Sequence, residues 1–240
     1  MLNQSALSLM PSLMLSLMLL PLSVLAAQTD ALKIGILNLP PAYICEEGKP
    51  AGYYTDLLEQ VVTRAGFKYS TQCLPTKRLY MSLANGEIDL FMGLNENQKY
   101  KDRIIASEYP IKEIHLGLYA LSQSILPSSQ EDWDGKRFVV INGYEYSGLI
   151  VELEKLEQQG KISIHRANSH KNAMKMLYSR RADLLLDYEL AVKGTLDTYD
   201  SPELFHQKIS ALGLHFLVSK KTPYAENVLK RLISAHQELQ

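Results

Sequence analysis

Few side chains in this 240-residue sequence have the type and spacing that chemistry requires. The six histidines (His115, His165, His170, His206, His215 and His236) are scattered, with no spacing that would bring two onto one metal. Gly143-Tyr144-Glu145-Tyr146-Ser147-Gly148 sets a serine between glycines, yet Glu145 stands where a nucleophile elbow needs glycine. No glycine-rich loop is present to cradle a phosphate. Glu145 and Asp187 could share acid–base work, but nothing in their spacing demands it. Tyr43, Tyr53, Tyr144 and Tyr146 could stack on a ligand, although any one tyrosine more often packs in a core or on a surface. Catalytic residues, metals and organic cofactors are therefore not expected. The chemistry to look for is recognition.

The compartment follows from the first 27 residues, which hold no charged side chain. An apolar run of Leu, Met, Val and Ala closes on the small residues Ala26-Ala27, the pattern of a cleaved secretory signal peptide over residues 1–27. The run is long and lacks a Lys or Arg near its start, so a retained membrane anchor is the competing reading. Ser5, Ser8, Ser12, Ser16, Pro11 and Pro21 would make it a poor permanent span. No cysteine follows the cleavage region, so lipid attachment is not expected. Cys45 and Cys73 are the only cysteines, and export makes a disulfide between them the simplest expectation. Two separate buried thiols are the alternative. Zinc is not expected without a Cys-x-x-Cys or clustered histidines.

About 213 residues remain after the leader, enough for one large domain or two small lobes. The net charge is -1 and the pI about 6.6, so the electrostatic footprint of a nucleic-acid binder is missing. Short apolar strands are expected at Leu32–Leu37, Phe67–Cys73, Asp89–Gly93 and Ile114–Leu121, with turn chemistry over Gly48–Gly52. Helices are expected from Thr55 to Gly66 and around Leu79–Ala84. After a polar break at 122–134 the alternation resumes. Strands are expected at Arg137–Ile141, Ile162–Arg166, Asp183–Tyr188 and Leu214–Ser219. Helices fall over Leu149–Leu156, Asn172–Arg181 and from Pro223 onward. Alternation of this length predicts an α/β fold with parallel sheets, and two series of similar size predict two lobes.

Several segments, in order, resemble the family 3 solute-binding proteins, periplasmic receptors for polar amino acids and related solutes. Leu32-Lys33-Ile34-Gly35 with Pro40-Pro41-Ala42-Tyr43 is similar to the family's first strand and Pro-Pro-aromatic turn. Gly48-Lys49-Pro50-Ala51-Gly52 through Asp56-Leu57 resembles its entry into the first helix. Leu83-Ala84-Asn85-Gly86-Glu87-Ile88-Asp89 resembles its helix-to-strand joint. Asp132-Trp133-Asp134-Gly135-Lys136 resembles the step into the second lobe, with Trp133 in place of leucine. Arg180-Arg181-Ala182-Asp183 through Asp187 resembles a later strand, without its glycine. The resemblance implies a type II periplasmic-binding-protein fold with two α/β lobes, a ligand cleft and two crossover strands. Lobe 1 would comprise residues 31–114 plus 219–240, and lobe 2 residues 115–218.

The same resemblance implies where a zwitterion would be held. The family's Thr-x-x-Arg clamp falls on Asn97 and Tyr100, so the bidentate arginine is absent. Asn95 and Tyr100 remain as ligand-binding candidates in that stretch, and Lys99, Lys101 or Arg103 could replace the clamp as point charges. Arg78, in Pro75-Thr76-Lys77-Arg78, is a second candidate cation or else a solvated helix start. Asp187 would hold the ligand ammonium or cap a helix. Tyr43, Tyr144 and Ser147 complete the set, Ser147 or its neighbouring amides facing a carboxylate. The implied role is capture of a small polar solute, an amino acid or related carboxylate, by a monomeric periplasmic protein serving an inner-membrane ABC permease or a sensor. The rivals are a cyclohexadienyl-type dehydratase on the same fold and an accessory or sensory protein with a degenerate cleft. A fused lytic domain is not expected.

Overall fold

In chain order the elements open with β1 (Leu32–Ile36), β2 (Ile44–Glu46), β3 (Lys49–Ala51), α1 (Tyr53–Arg64), β4 (Tyr69–Cys73), α2 (Thr76–Asn85) and β5 (Leu90–Leu94). They continue with β6 (Ile104–Ala106), β7 (Lys112–Ala120), β8 (Arg137–Ile141), α3 (Leu149–Gln158), β9 (Ser163–Ala167), α4 (His170–Tyr178) and β10 (Leu184–Tyr188). The chain closes with α5 (Glu189–Leu196), β11 (Phe205–Ser219) and α6 (Ala225–Gln237). This computed structural model describes residues 31–95, 98–196 and 203–240. The expected leader, 1–27, and Asn97 lie outside the described residues. Among the described residues no helix is long and apolar enough to cross a membrane.

Nine strands form one sheet in the order β4-β1-β5-β11-β7-β10-β8-β9, with β6 added on β11. The apolar runs explain the placement. Leu184-Leu185-Leu186-Asp187-Tyr188 is buried throughout, as a strand covered on both faces must be. In α1, Leu58, Val61 and Val62 fall on one face and are fully buried, while Arg64 stays out. Parallel pairing holds at both ends of the sheet, β4-β1-β5 and β10-β8-β9. The middle departs from the all-parallel expectation, because β11 runs antiparallel to β5, β6 and β7, and β10 runs antiparallel to β7. Strand β11 is fifteen residues long, against the six expected. Its first half is mostly exposed and mixes Gln207, Lys208 and Ser210 with apolar residues, so it carries no strand periodicity to read.

Two βαβαβ units repeat. In one, β1, α1, β4, α2 and β5 give the order β4-β1-β5; in the other, β8, α3, β9, α4 and β10 give β9-β8-β10. No sequence repeat announces this, yet the same joint recurs before the last strand of each. Asp89 donates its N–H to Lys33 O at 2.7 Å and accepts the Lys33 N–H on its carboxylate at 2.9 Å. Asp183 does the same with Arg137, at 2.8 and 2.9 Å. Asp183 also takes the Arg137 guanidinium, from Nε at 3.0 Å and Nη2 at 2.7 Å.

Those Arg137 hydrogen bonds hold the Asp183 carboxyl below its usual range. A carboxyl lowered on folding stabilises above its unfolded value, about 4, and that contribution is lost as pH falls through the lower folded value. Asp183→Asn is therefore expected to unfold more easily at neutral pH and to show a flatter decline between roughly pH 5 and pH 2 than the wild type. Denaturation midpoints across that range test it, and parallel declines would refute the role.

Segment 44–51, of which only Gly48 onward was expected, as turn chemistry, is the β2–β3 hairpin. Glu47 and Gly48 both take positive φ (50° and 75°), as a tight two-residue turn requires. Cys45, in β2, and Cys73, at the end of β4, form a disulfide that ties this hairpin to the sheet edge. Strand β6 and helix α5 were not expected; a three-residue strand, and a helix containing Gly194 and Thr195, fall below what periodicity resolves.

Candidate functional site

A cavity of about 110 Å³ lies where the two units face each other. Its walls come from the segment after β1, the start of α2 and β5 on one side. The β8–α3 turn and Tyr188 form the other, and Ile114 of β7 and Leu214 of β11 line it from the crossing strands.

The first wall is a group of rings whose polar ends point away. Tyr43 is buried and donates its hydroxyl to Met92 O at 2.6 Å. Tyr80 donates to Leu94 O at 3.0 Å. Phe91 lies between them, 6.0 Å from the Tyr43 ring centre and 5.7 Å, edge-on, from Tyr80. Gly93 makes this possible: a Cβ there would come within 2.1 Å of the Phe91 ring. Period-two alternation puts residues 91 and 93 on one face of β5, so the missing side chain is the space the ring occupies.

The second wall is built by a strained turn. Tyr146 and Ser147 both sit in the left-handed region (φ 47° and 58°), flanked by Gly143 and Gly148 at 85° and 86°. Non-glycine residues there cost on the order of 1–3 kcal/mol each. The turn is held by the Ile141 N–H, which donates to the Tyr146 hydroxyl at 2.7 Å, and by Gly148 N–H to Glu145 O at 2.9 Å. It folds Tyr144 and Tyr146 against Tyr188, the three ring centres standing 5.6–5.7 Å apart. Burial, and next the charge of Asp187, pushes the Tyr144 and Tyr146 hydroxyls far above their ordinary pKa. At physiological pH they are neutral hydrogen-bonding groups rather than phenolates.

Asp187 is not at the cleft surface. It is fully buried one residue before Tyr188, and strand alternation turns it to the opposite face, toward α4. Its Oδ2 lies 2.6 Å from His170 Nδ1, and its Oδ1 accepts the Tyr188 N–H at 2.8 Å. His170 Nε2 in turn lies 3.2 Å from the Tyr144 hydroxyl. With Nδ1–H donated to the carboxylate, Nε2 is left to accept from Tyr144, which satisfies all three groups. Asp187 thus braces the wall from behind, and an ammonium in the cavity has no access to it.

The other sequence candidates divide cleanly. Tyr43, Tyr100, Tyr144 and Ser147 line the cavity; Arg78 and Asn95 are exposed and do not. Tyr53 is also exposed, its ring edge-on to Tyr54. Of the substitute clamps, Lys99 reaches the lining, whereas Arg103 bonds Asn85 Oδ1 at 3.2 Å and packs over the outside of Tyr100. Lys101 is exposed and absent from the lining. Sequence reasoning missed Lys77, Tyr80, Phe91 and Tyr188. Helical spacing could have found two of them, since Lys77, Tyr80 and Ala84 share one face of α2 while Arg78, Met81 and Asn85 share the next. The charged lining is Lys77, Lys99 and Glu145, all exposed at the mouth. Among the described residues no group of His, Cys, Asp or Glu could hold a metal.

The model of the bacterial extracellular solute-binding proteins, family 3, matches residues 32–186. Among solved structures, a histidine kinase sensor domain with similarity to periplasmic binding proteins has TM-score 0.73 and 18% identity, covering 88% of this chain and 91% of that one. A mutant of the T. maritima arginine-binding protein gives 0.70 at 21% identity, with 87% and 89% covered. A putative L-cystine ABC transporter protein from Listeria monocytogenes gives 0.69 at 19%, with 88% and 90% covered. At these identities the likeness establishes the type II periplasmic-binding-protein fold. A search of curated sequences finds no match.

Proposed function

The chain belongs to the bacterial extracellular solute-binding proteins, family 3, and from that premise we propose that it captures one small solute in this cavity for an inner-membrane ABC permease or a membrane sensor. Solute binding is the family's role; the site and the recipient are our reading. One observation carries it: converging rings and charges surround a cavity between two units joined by β7 and β11. Such a cleft closes by hinge motion of the connecting strands. Relatives of the same fold serving a transporter and a sensor kinase support either recipient.

In the same reading residues 1–27 direct export to the periplasm and are removed, and the protein works as a monomer without catalytic activity. Residues 31–114 with 219–240 move as one lobe against 115–218. Nothing in the lining resembles an activated nucleophile or a paired acid and base.

Protein recovered from the periplasm is expected to have the mass of residues 28–240. In a thermal-shift screen of amino acids and organic acids, a ligand at 100-fold its Kd adds about 2.7 kcal/mol, a rise of roughly 5–10 °C for a chain of this length. No shift and no closure by small-angle scattering with any compound would defeat the proposal.

A further inference from the structure

We propose that the solute is a small aromatic monocarboxylate lacking an α-ammonium, a benzoate-like anion, rather than a polar amino acid. The inference rests on the solute-binding reading and names the class of ligand that site would take.

Three features of the cavity carry it. First, its walls are carbon. The Tyr43 and Tyr80 hydroxyls are bound to carbonyls of β5, that of Tyr146 accepts from a strand N–H, and that of Tyr144 meets His170. What stands toward the solute is mostly ring faces and edges, with Leu37, Leu39, Met92 and Ile114 between them; Thr76 and Ser147 add hydroxyls. A polyhydroxylated body would lose its water contacts there without replacement. A planar ring instead meets Tyr43, Tyr80 and Phe91 on one side and Tyr144, Tyr146 and Tyr188 on the other, the partners that aromatic contacts favour.

Second, among the described residues the charged side chains of the lining, Lys77, Lys99 and Glu145, stand at the mouth. Lys77 stands in the first turn of the ten-residue α2, which holds no acidic side chain there, so the helix dipole adds to its field. A Cβ on Gly143 would lie 3.9 Å from the Lys77 backbone nitrogen, so this helix start reaches the opposite wall across the cleft. A monoanion with its carboxylate at the mouth and its ring inward satisfies this arrangement. Third, the carboxylate an α-ammonium would need is committed elsewhere, since Asp187 is enclosed by His170 and the Tyr188 N–H. Glu145 stands at the mouth rather than inside among the rings.

The test is calorimetric titration of the mature protein with matched pairs. Benzoate and 3-phenylpropanoate are expected to bind at least tenfold tighter than their neutral or zwitterionic counterparts, benzamide and phenylalanine. Benzoate should also exceed cyclohexanecarboxylate. Lys77→Gln with Lys99→Gln, both on the exposed rim, should weaken benzoate about tenfold and leave benzamide unchanged, tenfold being about 1.4 kcal/mol. Phenylalanine or a polar amino acid binding more tightly than any deaminated acid overturns this inference and leaves the solute-binding reading intact. Failure of every acid, amino acid and neutral compound to bind overturns both.

Discussion

Asp187→Ala is expected to lower the stability of the ligand-free protein by roughly 3–5 kcal/mol, because it removes a buried carboxylate that accepts two hydrogen bonds. Two donors lose their acceptor at once, His170 Nδ1–H and the Tyr188 N–H, and each buried donor left unpaired costs about 1–3 kcal/mol. For a chain of this length that is a fall of roughly 8–15 °C in Tm. Asp187→Asn keeps a carbonyl oxygen that can still accept one of the two bonds, and should lose about half as much. The distinction from a ligand-contacting role is direct. A carboxylate exposed in a cleft to hold an ammonium could be removed with little loss of stability and complete loss of binding. Thermal or urea unfolding of ligand-free Asp187→Ala separates the two, and an unchanged midpoint would refute the bracing role.

The second large effect is expected at the disulfide. Cys45 and Cys73 are 28 residues apart, and a closed loop of that length is worth about 3.5 kcal/mol in the chain-entropy model. Reduction, or the double change Cys45→Ser and Cys73→Ser, should lower Tm by roughly 7–14 °C. The bond's position gives it a further consequence. Cys45 follows Tyr43 by two residues, and Cys73 precedes Thr76 and Lys77 at the start of α2 by three and four. It therefore fixes two pieces of the first wall against each other, and reduced protein should lose ligand affinity as well as stability. A midpoint indifferent to reductant would show that the loop is already restrained by β2–β3 pairing alone.

Much of the architecture is legible before any coordinates. Strand β8 falls at Arg137–Ile141 as its apolar run predicts, and β1, β4, β5, β9 and β10 lie within two residues of expectation at each end. Strands β5, β8 and β10 are buried on both faces, and continuous apolar runs announce that. The crossing strand β11 is not legible over its first half, because it is exposed and its neighbours, not its own side chains, determine its pairing with β7. The β2–β3 hairpin escaped for a different reason: Pro50 and the charged Glu46 and Lys49 give its three-residue strands no apolar alternation.

The site divides along the same line. By itself the sequence determined the recurring α/β units and the cysteine pair, because each depends on local composition or on spacing along one chain. Only the tertiary structure decided that Arg78 faces water while Lys77 faces the cavity, since one residue of helix turns a side chain by about 100°. It also decided that Asp187 lies behind the wall and Tyr188 in it, since neighbouring strand residues point to opposite faces. Which face of an element meets the cleft depends on what packs against the other, and that partner (His170 for Asp187, seventeen residues away) is chosen by the fold.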